Sequence, residues 1–184
     1  METDADTRDQ GLAESTADTD IAECMPSRDL ATLLKVSIAL GSSLDLGKVL
    51  QTAVESAVEV LDLETGIIYT MDDDILFMGA ATPSLPPDFP RNLRIARLSD
   101  HLYVARAFTS GRPVFIPDTQ QVHFTPAEQL AVDHRHLRSI LYIPLILEDK
   151  PVGALIVGSQ TDVKLLSPHQ IDLTRTLAAE ISLA

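Results

Sequence analysis

His134 and His136, with Asp133 and Arg135 beside them, form the densest group of chemistry-bearing side chains in the sequence. A zinc site needs three or four ligands, and this pair has no obvious third partner. On a helix, side chains two residues apart also leave different faces. At the wet C-terminal end of a helix the same histidines act as partly cationic groups that suit its negative pole. The single cysteine, Cys24, lies among acidic neighbours, where a thiol is a poor nucleophile, and it has no second cysteine to pair with. No GxxxxGK loop is present to cradle phosphates, and no GxSxG turn to present a nucleophilic serine. The chain is therefore expected not to be an enzyme. Binding chemistry remains. Tyr69, Phe77, Phe108, Phe115, Phe124 and Tyr142 are most of the aromatic residues. They read first as core, but apolar pockets with a few polar groups use the same side chains. Asp118 either caps a turn after Pro117 or aims at such a pocket.

The elements that must position these residues centre on 139–159, SILYIPLILEDKPVGALIVGS. Two apolar runs, Ile140–Leu147 and Val152–Val157, flank Glu148-Asp149-Lys150-Pro151 and predict a hairpin with a four-residue connection. Neither run alternates with polar residues, so both faces of the hairpin are expected to be covered. A first, very apolar helix is predicted from Leu30 to Leu40, running on to about residue 44. Asp45 caps a second over Leu46–Leu61, whose apolar positions recur at helical spacing on one face. A hairpin with strands 66–71 and 75–81 follows, then a proline-rich loop over 82–92. A short strand is predicted at 93–98, a helix capped by Ser99 and stopped at Gly111, and a strand at Pro113–Pro117. Thr125-Pro126-Ala127-Glu128 and Ser167-Pro168-His169-Gln170 are capping boxes that open helices over 125–136 and 168–183. Strands and helices do not alternate one for one, which favours an antiparallel α+β sandwich over a doubly wound sheet.

The 184 residues suit one domain with accessory segments, and 45% of them are apolar. The net charge of −13 disfavours nucleic acid and anionic membranes as partners. Much of that charge is in the first 29 residues, which hold nine acids against Arg8 and Arg28. Residues 1–28 are thus expected to be a disordered acidic leader and 29–184 the globular domain. No secretory signal and no membrane-spanning run is present in the sequence, so a cytoplasmic location is expected.

Several short pieces, in order, resemble the GAF family of small-molecule sensor domains. They are Ser43-Leu44-Asp45-Leu46 with Val49-Leu50, Gly66-Ile67-Ile68-Tyr69, and Gly111-Arg112-Pro113-Val114 leading to Ile116-Pro117-Asp118. Arg138-Ser139-Ile140-Leu141 then runs into Ile143-Pro144-Leu145, followed by Val152-Gly153-Ala154-Leu155, Leu165-Leu166-Ser167 and Leu177-Ala178-Ala179-Glu180-Ile181. The resemblance covers residues 29–184. It implies an antiparallel sheet with the terminal helices on one face, and a pocket on the other roofed by the middle helices and long loops.

It further implies a noncovalent small ligand, a homodimer formed through the terminal helices 30–44 and 168–183, and a signal relayed to an output domain such as a histidine kinase. The residues expected at the ligand are Tyr69, Phe77, His101, Phe108, Asp118, Phe124, His134 and Tyr142, with His123 also bordering the pocket roof. Relatives that reduce free methionine sulfoxide or tether a bilin rely on pocket cysteines, which this chain lacks. The Asn-Lys…Phe…Asp-Glu signature of cyclic-nucleotide-binding relatives is not found. A subset binds haem through a histidine just ahead of the Ser…Pro strand, and His134, five residues before Ser139, would be that ligand. The competing expectation is a dimerisation or protein-interaction module without a ligand.

Overall fold

A computed structural model describes residues 45–183. The predicted helix at 30–44 and the acidic leader lie outside the described residues. Helix α1 (Leu46–Leu61) is followed by strands β1 (Thr65–Asp72) and β2 (Ile75–Thr82). A single turn, α2 (Arg91–Arg94), leads to β3 (Ile95–Arg97), a 3-10 turn (Leu98–Asp100) and α3 (Leu102–Ser110). Then come β4 (Val114–Ile116), a 3-10 turn (Thr119–Gln121), α4 (Pro126–Arg135), the hairpin β5 (Ser139–Leu147) and β6 (Lys150–Ser159), and α5 (Pro168–Ser182). The strands make one antiparallel sheet in the order β3-β2-β1-β6-β5-β4. This is the expected α+β architecture.

Period-two alternation divides the side chains of β5 between two cores. Leu141, Ile143 and Leu145 face α1 and α5, where they meet Leu50, Val54, Leu61, Leu177 and Ile181. Ile140 and Tyr142 face the opposite way and join Tyr69, Tyr103, Val104 and Val132. Every β5 residue from Ser139 to Leu145 is buried, as the unbroken apolar run predicts. Pro144 sits within β5 without breaking it. β4 ends opposite Tyr142, so beyond that point one edge of β5 is free and a missing amide is tolerated. A register shift follows between Leu145 and Ile146.

Local signals define α1, α4 and α5. Asp45 Oδ1 accepts from the Gly47 amide at 3.1 Å, and both capping boxes form as written in the sequence. Gly111 ends α3 in the left-handed region at φ 62°.

The hairpin connection is shorter than predicted. Glu148 and Asp149 both take positive φ, 47° and 63°, so a two-residue turn lets β5 and β6 extend to Leu147 and Lys150. The strand predicted at 93–98 shrinks to Ile95–Arg97, because Pro90 starts a helical turn and β2 offers partners only at Ile75, Leu76 and Phe77. Ser99 does not cap the following helix. It lies in the 3-10 turn, and His101 occupies the N-cap position without a side-chain capping bond. Among the described residues no helix is long and apolar enough to cross a membrane.

Candidate functional site

A cavity of about 50 Å³ lies on the sheet face opposite α1 and α5. Its floor is Ile67 and Tyr69 of β1, Ile140 and Tyr142 of β5, and Ile156 of β6. Its roof is α4 through Glu128, Ala131, Val132 and Arg135, with His101 at the start of α3. A water needs roughly 10–15 Å³, so the cavity has room for about three to five water molecules.

The apolar lining carries several polar groups. Glu128, 2% exposed, is fixed by two backbone amides. Its Oε1 accepts from Tyr103 N at 2.8 Å and its Oε2 from Thr125 N at 3.0 Å. His101 is 5% exposed, and its Nε2 is buried without a hydrogen-bond partner. Burial lowers the His101 pKa, against the opposing pull of Glu128 and then Asp100, so the imidazole is held neutral. Tyr142 stacks on Tyr103 with ring centres 5.6 Å apart, and Phe124 meets Tyr103 edge-on at 5.4 Å. Burial raises the Tyr142 phenol pKa, and Glu128, Tyr103 and Tyr69 add to that.

Also on the wall, Tyr69 Oη donates to Leu93 O at 2.5 Å. Burial raises its pKa as well, and the positive charge of Arg135 draws it partly back. Arg135 is 6% exposed, and its Nη2 donates to Thr82 O at 3.0 Å. No carboxylate pairs with it among the described residues. Burial disfavours its charge, with the nearby Tyr69 acting the other way.

Of the residues expected at the ligand, Tyr69, His101 and Tyr142 line the cavity. Phe108 and Phe124 pack in the surrounding apolar cluster without lining it. Phe77 lies near the sheet edge opposite Ile95 and is 39% exposed. Asp118 caps the 3-10 turn, its Oδ1 accepting from Gln120 N at 2.9 Å, as the capping alternative has it. His123 contributes its carbonyl, which accepts from Tyr103 Oη at 3.2 Å.

His134 is exposed on α4, with its ring edge-on to Phe89 at 6.2 Å. It turns away from the cavity because Glu128, Val132 and Arg135 occupy the buried face of α4. With its expected ligand outside and space for only a few waters inside, the site does not fit haem. Among the described residues no group of three or more His, Cys, Asp or Glu could hold a metal ion.

The sequence reading missed Glu128 and Arg135 as cavity residues. Each had a local explanation, the capping box for one and the helix C-terminus for the other. The available signal was their spacing: with Val132 they stand at i, i+4 and i+7, the positions of a buried stripe.

A GAF domain model matches residues 43–184. The chain belongs to the GAF domain family. Solved GAF structures share the fold. The GAF domain of an Acinetobacter phosphoenolpyruvate-protein phosphotransferase superposes with a TM-score of 0.68 at 20% identity, covering 86% of this chain and 92% of that one. The GAF domain of the Coxiella burnetii phosphoenolpyruvate-protein phosphotransferase gives 0.71 at 16% identity, covering 85% and 92%. A domain of a putative two-component sensor histidine kinase from Sinorhizobium meliloti gives 0.62 at 13% identity, covering 77% and 90%. Comparison with curated protein sequences returns no match.

Proposed function

We propose that this GAF domain is a cytoplasmic sensory or regulatory module that binds a small molecule noncovalently and performs no catalysis of its own. The observation that carries this reading is the cavity between sheet and α4, with the buried Nε2 of His101 unpartnered at its wall. A buried polar atom without a partner is costly in a folded protein, and a ligand bound there would satisfy it. A ligand larger than the cavity would have to lift α3 and α4 from the sheet. That movement reaches the other face through β5, whose alternate side chains pack against α5. Binding would thereby shift the balance between two packing states of the terminal helices. A homodimer through those helices, passing the change to an output domain, completes the proposal.

Native mass spectrometry of the purified chain, with thermal shift against a metabolite library, tests it. A retained or stabilising small molecule is the expected result. A chain that carries nothing and is stabilised by nothing removes the ligand. The small volume favours a second reading, a dimerisation module with a vestigial pocket. Light scattering on dilution separates the two, because a monomer at micromolar concentration removes the dimer from either.

A further inference from the structure

Arg135 is the least compensated charge of the cavity wall. A guanidinium keeps its proton throughout the working range and carries five N–H donors in a planar fork. Here it is almost wholly buried, yet among the described residues its guanidinium has only the carbonyl oxygen of Thr82 as a hydrogen-bond partner. The C-terminal end of α4 contributes no more than a partial negative charge. Glu128, two turns earlier on the same face, is engaged with the amides of Tyr103 and Thr125 and makes no salt bridge with Arg135. A buried cation calls for an anion, and the remaining N–H groups of the fork match a carboxylate in two-point geometry. Most of the remaining lining is apolar, with Ile67, Ile140 and Ile156 on the floor.

We propose that the cavity recognises a short carboxylic acid, its carboxylate on Arg135, its carbon body against Ile67, Ile140 and Ile156, and a second polar group on His101 Nε2. This rests on the reading of the cavity as a ligand site and supplies the class of ligand. The cavity volume of about 50 Å³ suits an occupant of a few carbons unless α4 moves.

The 184-residue chain is titrated with propionate, lactate and pyruvate, and under the same conditions with propionamide and lactamide. Unfolding temperature reports binding, and side-chain nitrogen resonances of His101 report its location. The carboxylates are expected to raise the unfolding temperature and to shift His101, with the amides weaker by about tenfold or more. Arg135→Gln should cost the carboxylates a similar factor and the amides distinctly less, because only the carboxylates lose a charge-assisted pair. His101→Gln should keep the preference for carboxylate and reduce the advantage of lactate and pyruvate over propionate. Should Arg135→Gln not fold, the carboxylate-to-amide ratio in the unmodified chain and in His101→Gln decides. Amides that bind as tightly as carboxylates and perturb His101 overturn the carboxylate assignment while leaving a ligand site. Carboxylates that bind without perturbing His101 overturn the placement. No response to either series overturns the class of ligand, and the metabolite library then decides separately whether the cavity binds anything.

Discussion

Glu128 Oε1 accepts a hydrogen bond from the Tyr103 amide at 2.8 Å, so the first turn of α3 is capped from α4, 25 residues away. The first amides of a helix have no partner within it. His101 stands where a capping side chain would be and provides none, and Glu128 takes over that role from across the roof. The other oxygen of the same carboxylate closes the capping box of α4 on Thr125. One buried side chain thus starts two helices and ties them together. It also leaves the His101 imidazole free at the cavity wall.

Glu128→Gln keeps the shape and loses this arrangement. The amide group must present its NH2 to one of two backbone N–H donors. The expected cost is about 1–3 kcal/mol, read as a lower midpoint in urea unfolding at unchanged slope. A midpoint equal to that of the unmodified chain would show that the link carries no stability.

Two buried tyrosines should respond differently to loss of the hydroxyl. Tyr69 donates to Leu93 O, so Tyr69→Phe leaves that carbonyl without its donor and should cost about 0.5–1.5 kcal/mol. No hydrogen bond of the Tyr142 hydroxyl is seen among the described residues, so Tyr142→Phe should be close to neutral. Paired denaturant titrations check the contrast, and equal losses would refute it.

His101 makes stability sensitive to mild acid. Its folded pKa lies below the usual 6.5, because burial outweighs the attraction of Glu128 and Asp100. Between the two values the unfolded chain binds more protons, so stability rises with pH there. The contribution is complete above about pH 6.5 and is lost as pH falls below it. Unfolding midpoints at pH 5 and 7.5 should differ, and His101→Gln should flatten that part of the profile.

Gly153 of β6 has no room for a Cβ against β1. A Cβ there would stand 2.2 Å from Tyr69 O, a backbone atom that cannot swing aside. Gly153→Ala should destabilise by about 1–3 kcal/mol through overpacking and displace the strand that carries Tyr69. Thermal unfolding measures the loss, and a chain of unchanged stability would mean the two strands separate easily.

The elements legible in the sequence were those whose cause is local. Asp45, Thr125 with Glu128, and Ser167 with Gln170 announced their helices because a cap acts within three residues. The unbroken run in β5 announced a strand covered on both faces, because each face needs its own apolar set. Tyr69, His101 and Tyr142 were legible as pocket candidates through the family resemblance. His134 was misplaced because the resemblance locates a stretch of chain, whereas the phase of α4 decides which of its side chains face inward.

The sequence by itself determined the family, the antiparallel α+β fold and three helix starts, since periodicity and capping are short-range properties written in neighbouring residues. Only the tertiary structure decided that α3 is capped by a carboxylate from α4 and that, among the described residues, His101 Nε2 is left without a partner and Arg135 is buried at the cavity wall without a carboxylate. Those facts depend on which groups meet across the roof. A sequence shows what a residue can offer to a hydrogen bond or an ion pair, but packing alone determines whether the offer is taken.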